Sequence, residues 1–284
     1  MTAEQGTPID AELRAEAAAD VTLNAEPTRP RWRQIAASQV FITLGFLLVL
    51  IAVFSIMAPD KFGTVKNLSL LAQNVAILTV VSVGTTFVIA TAGIDLSIPS
   101  GIILGEVFAA NMLKLIPVGD AYAIDISADE TTLPIIGLAL AAALFAGLLI
   151  GTVNGLLVAY LRIPPMLATL GTLGAGLGVA LLVQKGVNVA TYALALVADS
   201  DLVFGMSNLV MIALGVIVLG WLGMHKSVFG RHTLAIGSSE EAARRVGLNV
   251  PRHLLKVYIV GGVASGFAGF LSDRKSTRLN SSHV

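Results

Sequence analysis

Residues 229–252 read FGRHTLAIGSSEEAARRVGLNVPR, a polar island between two strongly apolar stretches at 207–224 and 254–271. Its centre has the marks of a short capped helix. Ser238 followed by Glu241 fits a capping box, with serine at the N-cap and glutamate three positions on. Ala242, Ala243 and Val246 make a small smooth apolar face, and Arg244 and Arg245 fall in the last turn, where cations suit the helix dipole. Gly247 is placed to end the helix in a left-handed conformation, and Pro251 keeps it from resuming. Two turns of helix standing alone in a loop are too short to be stable unaided. The island predicts a helix that docks against something.

What surrounds the island is apolar enough to live in lipid. Of 284 residues, 55% are hydrophobic and 13% charged, against about 25% charged in an ordinary soluble domain. The expected fold is all-α, a polytopic transmembrane helical bundle. A span takes about 20 mostly apolar residues, and seven stretches qualify: 38–58, 68–92, 97–113, 133–161, 165–183, 207–224 and 254–271. Net charge is zero, which gives a nucleic-acid partner no electrostatic support. Cysteine is absent, which excludes disulfides and thiolate metal sites.

Residues 1–34 are rich in Ala, Glu, Thr and Pro without hydrophobic periodicity, and read as a disordered tail. Arg29, Arg31 and Arg33 around Trp32 form a basic, aromatic flank that anchors the first span with its N-terminal side in the cytoplasm. With that orientation the inside segments carry eleven Lys and Arg and the outside loops four, Lys61, Lys66, Lys114 and Lys185. The island therefore faces the cytoplasm.

Small residues recur within the spans at helical spacing. Gly147, Gly151 and Gly155 make two GxxxG steps in the fourth span, Gly174–Gly178 repeats the step in the fifth, and Gly262–Gly266 in the seventh. Such steps let helix backbones approach closely within a bundle; lining a pore is the other use. Polar groups at membrane depth are costly and need a reason. In TAGIDLSIPSG (91–101), Gly93 permits a sharp turn, Asp95 or Ser97 can cap the next helix, and Pro99 fits a first turn. The same segment also suits a discontinuous element near a transport path. Gln73 and Asn154 read as interhelical hydrogen-bond partners, and Glu106 is the hardest group to explain by packing alone.

Enzyme signatures are missing. There is no GxxxxGK[ST] phosphate loop, and His225, His232 and His253 read as solvated loop residues without metal spacing. No catalytic, cofactor-binding or metal-binding residues are expected.

Three segments resemble the permease subunit of bacterial ABC importers for monosaccharides, of the ribose/xylose/galactose type. They are TAGIDLSIPSG at 91–101, GTVNGLLVAYLRIPPMLATLGTL at 151–173, and FGRHTLAIGSSEEAARRVGLNVPRHLLKVYIVGGVASGFAGFL at 229–271. Glu241-Ala242-Ala243 followed by Gly247 is similar to that family's EAA…G loop, whose helix docks on the ATPase subunit. The resemblance thus implies an ATPase-docking loop of Ser238, Glu241, Ala242, Ala243, Arg244 and Gly247. It implies a translocation path near Asp95, Ser97, Glu106, Asn154 and Thr169. The implied partners are an ABC ATPase that binds ATP and magnesium, a second permease subunit, identical or homologous, and a periplasmic sugar-binding protein. The implied location is the bacterial inner membrane. Ala92 stands where the family has glycine, and Ile98-Pro99 where it has Val-Gly. Family members continue past residue 271 with further spans, so 35–271 reads as an incomplete transmembrane domain. SDRKSTRLNSSHV (272–284) reads as a foreign tail similar to adapter read-through. Related permeases for branched-chain amino acids or autoinducer-type sugars, an ion-coupled carrier using Glu106 or Asp95, and a non-transporting membrane scaffold are the alternatives.

Overall fold

The computed structural model describes residues 39–118, 121–122, 133–184, 201–203 and 206–272. The tails expected at 1–34 and 272–284 lie outside these residues, apart from Ser272, as do Lys185 and most of the acidic loop after 118.

Two compact units divide at Thr64/Val65. The first holds α1 (Gln39–Met57) and the single turn α2 (Pro59–Phe62). Helix α1 is apolar all round, QVFITLGFLLVLIAVFSIM, as a helix immersed in lipid is. Phe54 stacks on Phe62 with ring centroids 5.7 Å apart, closing the turn between them.

The second unit is a helical bundle. It comprises α3 (Val65–Ala90), α4 (Ile98–Leu113), α5 (Leu133–Ala159), α6 (Pro165–Gln184), α7 (Asn208–His225), α8 (Val228–Ser238), α9 (Glu240–Arg245) and α10 (Val250–Ser272). Two small antiparallel pairs lie in its loops, β1 (Pro117–Val118) with β2 (Ala121–Tyr122), and β3 (Asp201–Val203) with β4 (Met206–Ser207). Among the described residues, five helices are long and apolar enough to cross a membrane: α3, α5, α6, α7 and α10. Phe41–Met57 and Ile98–Leu113 are shorter apolar helices. Together they coincide with the seven stretches read from the sequence.

Helix α10 is the centre of the bundle, packed on α5, α4 and α3. Its contact with α5 is backbone against backbone. A Cβ on Gly151 would stand 2.5 Å from the Tyr258 carbonyl oxygen, and one on Gly147 would collide with that of Gly262. On the α4 side, a Cβ on Gly105 would lie 2.5 Å from the Gly266 carbonyl oxygen. In lipid, where side-chain burial gives no hydrophobic gain, this close approach supplies the van der Waals contact that holds helices together. The expected packing use of the glycine steps is realised in α5 and α10. The step at Gly174–Gly178 differs: nothing described lies within 4 Å of either position.

Apolar packing fills the rest. Val80, Leu113, Ile135, Leu209 and Phe270 form the largest buried cluster. Phe87, Val88, Met224, Val257 and Tyr258 form another. Outside the clusters, large apolar side chains such as Leu182 and Leu219 are exposed, 80% and 69%. Such exposure is costly in water and natural in lipid.

The polar island is not one helix in a loop. Helix α8 occupies its first half, capped by the Ser227 hydroxyl, which accepts from Gly230 N at 3.0 Å. Ser238 ends α8, with its hydroxyl donating to the Leu234 carbonyl at 2.9 Å, so it is not the cap of the next helix. Ser239 is. Its hydroxyl accepts from Ala242 N at 3.2 Å, and the capping box with Glu241 does not form, because the shift of the cap to Ser239 puts Ala242 at the third helical position, while Glu241 pairs with Arg245 at 2.5 Å. The C-terminus follows expectation: Gly247 has φ +86°, Leu248 N donates to the Ala243 carbonyl, and Gly247 N to that of Arg244. That pair of bonds is a Schellman motif. Pro251 then opens α10 in its first turn, where its missing N–H costs nothing.

Candidate functional site

Between α3 and α4 the chain abandons helix. Residues 91–97 form a turn and then an irregular stretch that carries Asp95 and Ser97 into the protein, 9% and 2% exposed. Irregular backbone at membrane depth is tolerated only where protein covers it or it lines a cavity. Here α6 covers it: the Thr169 hydroxyl accepts from Leu96 N at 3.1 Å.

A directed chain of hydrogen bonds crosses this break. The Thr172 hydroxyl donates to Asn154 Oδ1, Asn154 Nδ2 donates to the Ser97 hydroxyl, and that hydroxyl donates to Asp95 Oδ1, each at 2.6 Å. Ser97 N also donates to Asp95 Oδ1, at 2.8 Å. Asp95 therefore makes a local turn, and neither it nor the Ser97 side chain caps α4 as expected. Aligned bonds of one polarity strengthen one another in a dry interior. The chain ends on a carboxylate with no ion pair among the described residues.

Four of the five expected path residues, Asp95, Ser97, Asn154 and Thr169, are thus brought together. Glu106 is not. It lies nine residues beyond Ser97 on α4, about 13 Å along the axis. Gln73 was expected to bond between helices, yet its amide donates to Ser69 within α3, at 3.2 Å. Sequence reasoning missed Thr172 and Ser100, both buried, although each sits three residues after a residue already singled out.

The tight turn into the break is made by Ala92, whose φ of 59° is left-handed, not by Gly93. Gly93 is needed for a different reason. A Cβ there would lie 2.9 Å from the Tyr258 hydroxyl. Tyr258 is fully buried, and its hydroxyl has no hydrogen-bond partner among the described residues. Such a group costs about 1–3 kcal/mol unless something satisfies it.

Below the break lies a cavity of about 660 Å³. The 91–93 turn, the α5–α6 connection at Arg162–Pro165, the α8–α9 junction and Tyr258 line it. These connections therefore share one side of the bundle.

The island's short helix docks partly on its own chain. Ala243 is buried with Ile236 and Val250, so it faces inward and is not part of an outer docking surface. Glu241, Ala242, Arg245 and Val246 form the outer face, with Val246 78% exposed. Arg244 pairs with Glu240 at 2.5 Å and lines the cavity together with Ser238. His253, expected to be solvated, is buried beneath α8, its Nε2 2.8 Å from the Thr233 hydroxyl.

Residues 67–277 match the family model described as branched-chain amino acid transport system / permease component. The chain belongs to this family. The permease is 31% identical over 235 residues to the galactose/methyl galactoside import permease protein MglC of Salmonella typhimurium, covering 79% of this chain and 68% of that one. It is 32% identical over 233 residues to the ribose import permease protein RbsC of Escherichia coli, covering 79% and 66%. The fructose import permease protein FrcC of Rhizobium meliloti is 28% identical over 243 residues, covering 82% and 63%. The permease thus spans about two thirds of the length of these relatives. No solved structure matches it. It is a multi-pass membrane transport permease, as its motifs and apolar helices imply.

Proposed function

We propose that the permease is the membrane subunit of an ATP-driven importer that carries a monosaccharide across the bacterial cytoplasmic membrane, its N-terminus inside. The buried chain Thr172–Asn154–Ser97–Asp95 carries this reading. Hydroxyl, amide and carboxylate groups suit a polyol, whose hydroxyls donate as readily as they accept. A zwitterionic amino acid could set its ammonium against Asp95, but its carboxylate would find no cation paired with this chain of groups among the described residues. The relatives' names point the same way.

In this reading a separate ATPase binds ATP and magnesium and performs the hydrolysis, and this chain carries no catalytic group. The ATPase engages the outer face of α9. Its motion passes through Ala243 to Val250 at the head of α10, and along α10 to the glycine contact with α5. Rigid-body rocking of tightly packed helices around a fixed central site is a workable route to alternating access. A second permease subunit completes the path and a periplasmic binding protein delivers the sugar.

Competition for uptake by the assembled importer tests the substrate class. Unlabelled galactose, ribose or fructose should suppress uptake of the labelled sugar, and leucine should not. Suppression by leucine alone would replace the sugar with an amino acid.

A further inference from the structure

Glu106 takes no part in the hydrogen-bond chain at the break. It sits midway along α4, half-buried, and its carboxylate makes no ion pair or hydrogen bond among the described residues. No other acidic or basic side chain stands in the middle of a described apolar helix. A carboxyl group facing lipid is costly, and such groups turn toward protein or water. The surface around Glu106 is open at one end. Pro99, Ile103 and Glu106 share one face of α4 by their helical spacing. Pro99 and Ile103 are exposed, and so is Ile94 in the break before them. One turn beyond Glu106 the same face is closed, since Ala110 and Leu113 are fully buried. The first two turns of α4 therefore present an apolar patch with one carboxyl group at its closed edge.

We propose that this patch is the seam on which a second copy of the chain meets the first, the two Glu106 side chains facing each other across a two-fold axis along the membrane normal. This rests on the reading above, in which a second permease subunit completes the path. Two copies in one membrane share an orientation, so each residue meets its partner at its own level. The described spans bring no cation to the middle of the bundle: Lys66 stands at the start of α3, and Arg252 and Lys256 in the first two turns of α10. A second copy does bring its own Glu106, and in an isologous interface a residue near the axis faces its equivalent. A carboxyl and a carboxylate sharing one proton make a strong hydrogen bond. Between helices in lipid, such polar contacts favour association where apolar contact alone gives little preference. The patch adjoins the break, so the seam sets the hydrogen-bond chains of the two copies on either side of one path.

The chain has no cysteine, so single introduced cysteines report cleanly. In the assembled permease–ATPase complex in nanodiscs, Ile103→Cys treated with a short bis-methanethiosulfonate should give a permease dimer on a denaturing gel. Leu182→Cys, on the exposed face of α6, should not. Adding Glu106→Gln to Ile103→Cys should preserve the dimer band, because two amides also pair, while Glu106→Leu should reduce it about tenfold. Absence of the Ile103→Cys dimer, a dimer from Leu182→Cys in its place, or a yield that Glu106→Leu leaves unchanged would each overturn the seam. Any of these alongside ATP-driven sugar uptake leaves the importer reading standing; an unmodified complex that takes up no sugar removes that reading, while the crosslink still decides the seam.

Discussion

The side-chain amide of Asn154 donates to the Ser97 hydroxyl at 2.6 Å, tying the middle of a continuous helix to the end of a broken one 57 residues earlier. Both groups are buried, and each has a second partner, Thr172 on one side and Asp95 on the other. Removing the amide therefore takes one hydrogen bond from each of two buried hydroxyls, which keep Asp95 and the Thr169 carbonyl as their remaining acceptors.

Asn154→Ala should lower the stability of the purified permease by about 1–3 kcal/mol, since two buried hydrogen bonds are lost at about 0.5–1.5 kcal/mol each. Thermal unfolding in detergent measures it. A melting temperature equal to that of the unmodified protein would show that the hydrogen-bond chain contributes nothing to the fold.

Glycine substitutions should divide into two groups. Gly151→Ala pushes a methyl group into the Tyr258 carbonyl and should cost about 1–3 kcal/mol by overpacking. Gly174→Ala meets nothing described within 4 Å, and should leave the stability of the isolated chain unchanged or slightly raised by helix propensity. Parallel melts of both variants check this, and equal losses would contradict the packing described for α5 and α10.

Ala92 holds a left-handed backbone at φ 59°. A residue with a Cβ is strained there and glycine is not, so Ala92→Gly should stabilise by about 0.5–1 kcal/mol. A rise in melting temperature without loss of uptake is expected. The sequence offered one clue, since alanine stands at 92 where the resemblance has glycine.

Docking to the ATPase should respond to the outer face of α9 and not to the inner one. Glu241→Lys and Val246→Asp change exposed positions and should abolish co-purification with the ATPase while leaving the melting temperature within a degree or two. Ala243→Arg drives a charge into the Ile236–Val250 cluster and should lower stability as well. Retention of the ATPase by both outer variants would place the interface elsewhere.

Much of this was legible in the sequence because lipid imposes simple demands. Apolar runs of about 20 residues mark the spans, and Gly247 marks the end of α9 because few other residues take a left-handed cap at no cost. Pairings were less legible. Asn154 and Ser97 announced themselves as costly polar residues, but nothing local tells one to find the other. The choice of cap failed because Ser238 and Ser239 are equally good cap residues, and only the length of α8 consumes the first. Tyr258 gave no signal. In an apolar run it reads as core, and its unsatisfied hydroxyl becomes visible only once the distant Gly93 is placed beside it.

The central claim, that this chain forms the path of an ATP-driven sugar importer, is tested most directly by uptake into proteoliposomes containing the assembled transporter. Tritiated sugar should accumulate only with ATP inside the vesicle and the ATPase facing inward, and this accumulation should continue when ionophores collapse every ion gradient. Asp95→Ala should reduce it at least tenfold. Accumulation that follows an ion gradient and ignores ATP would contradict the account.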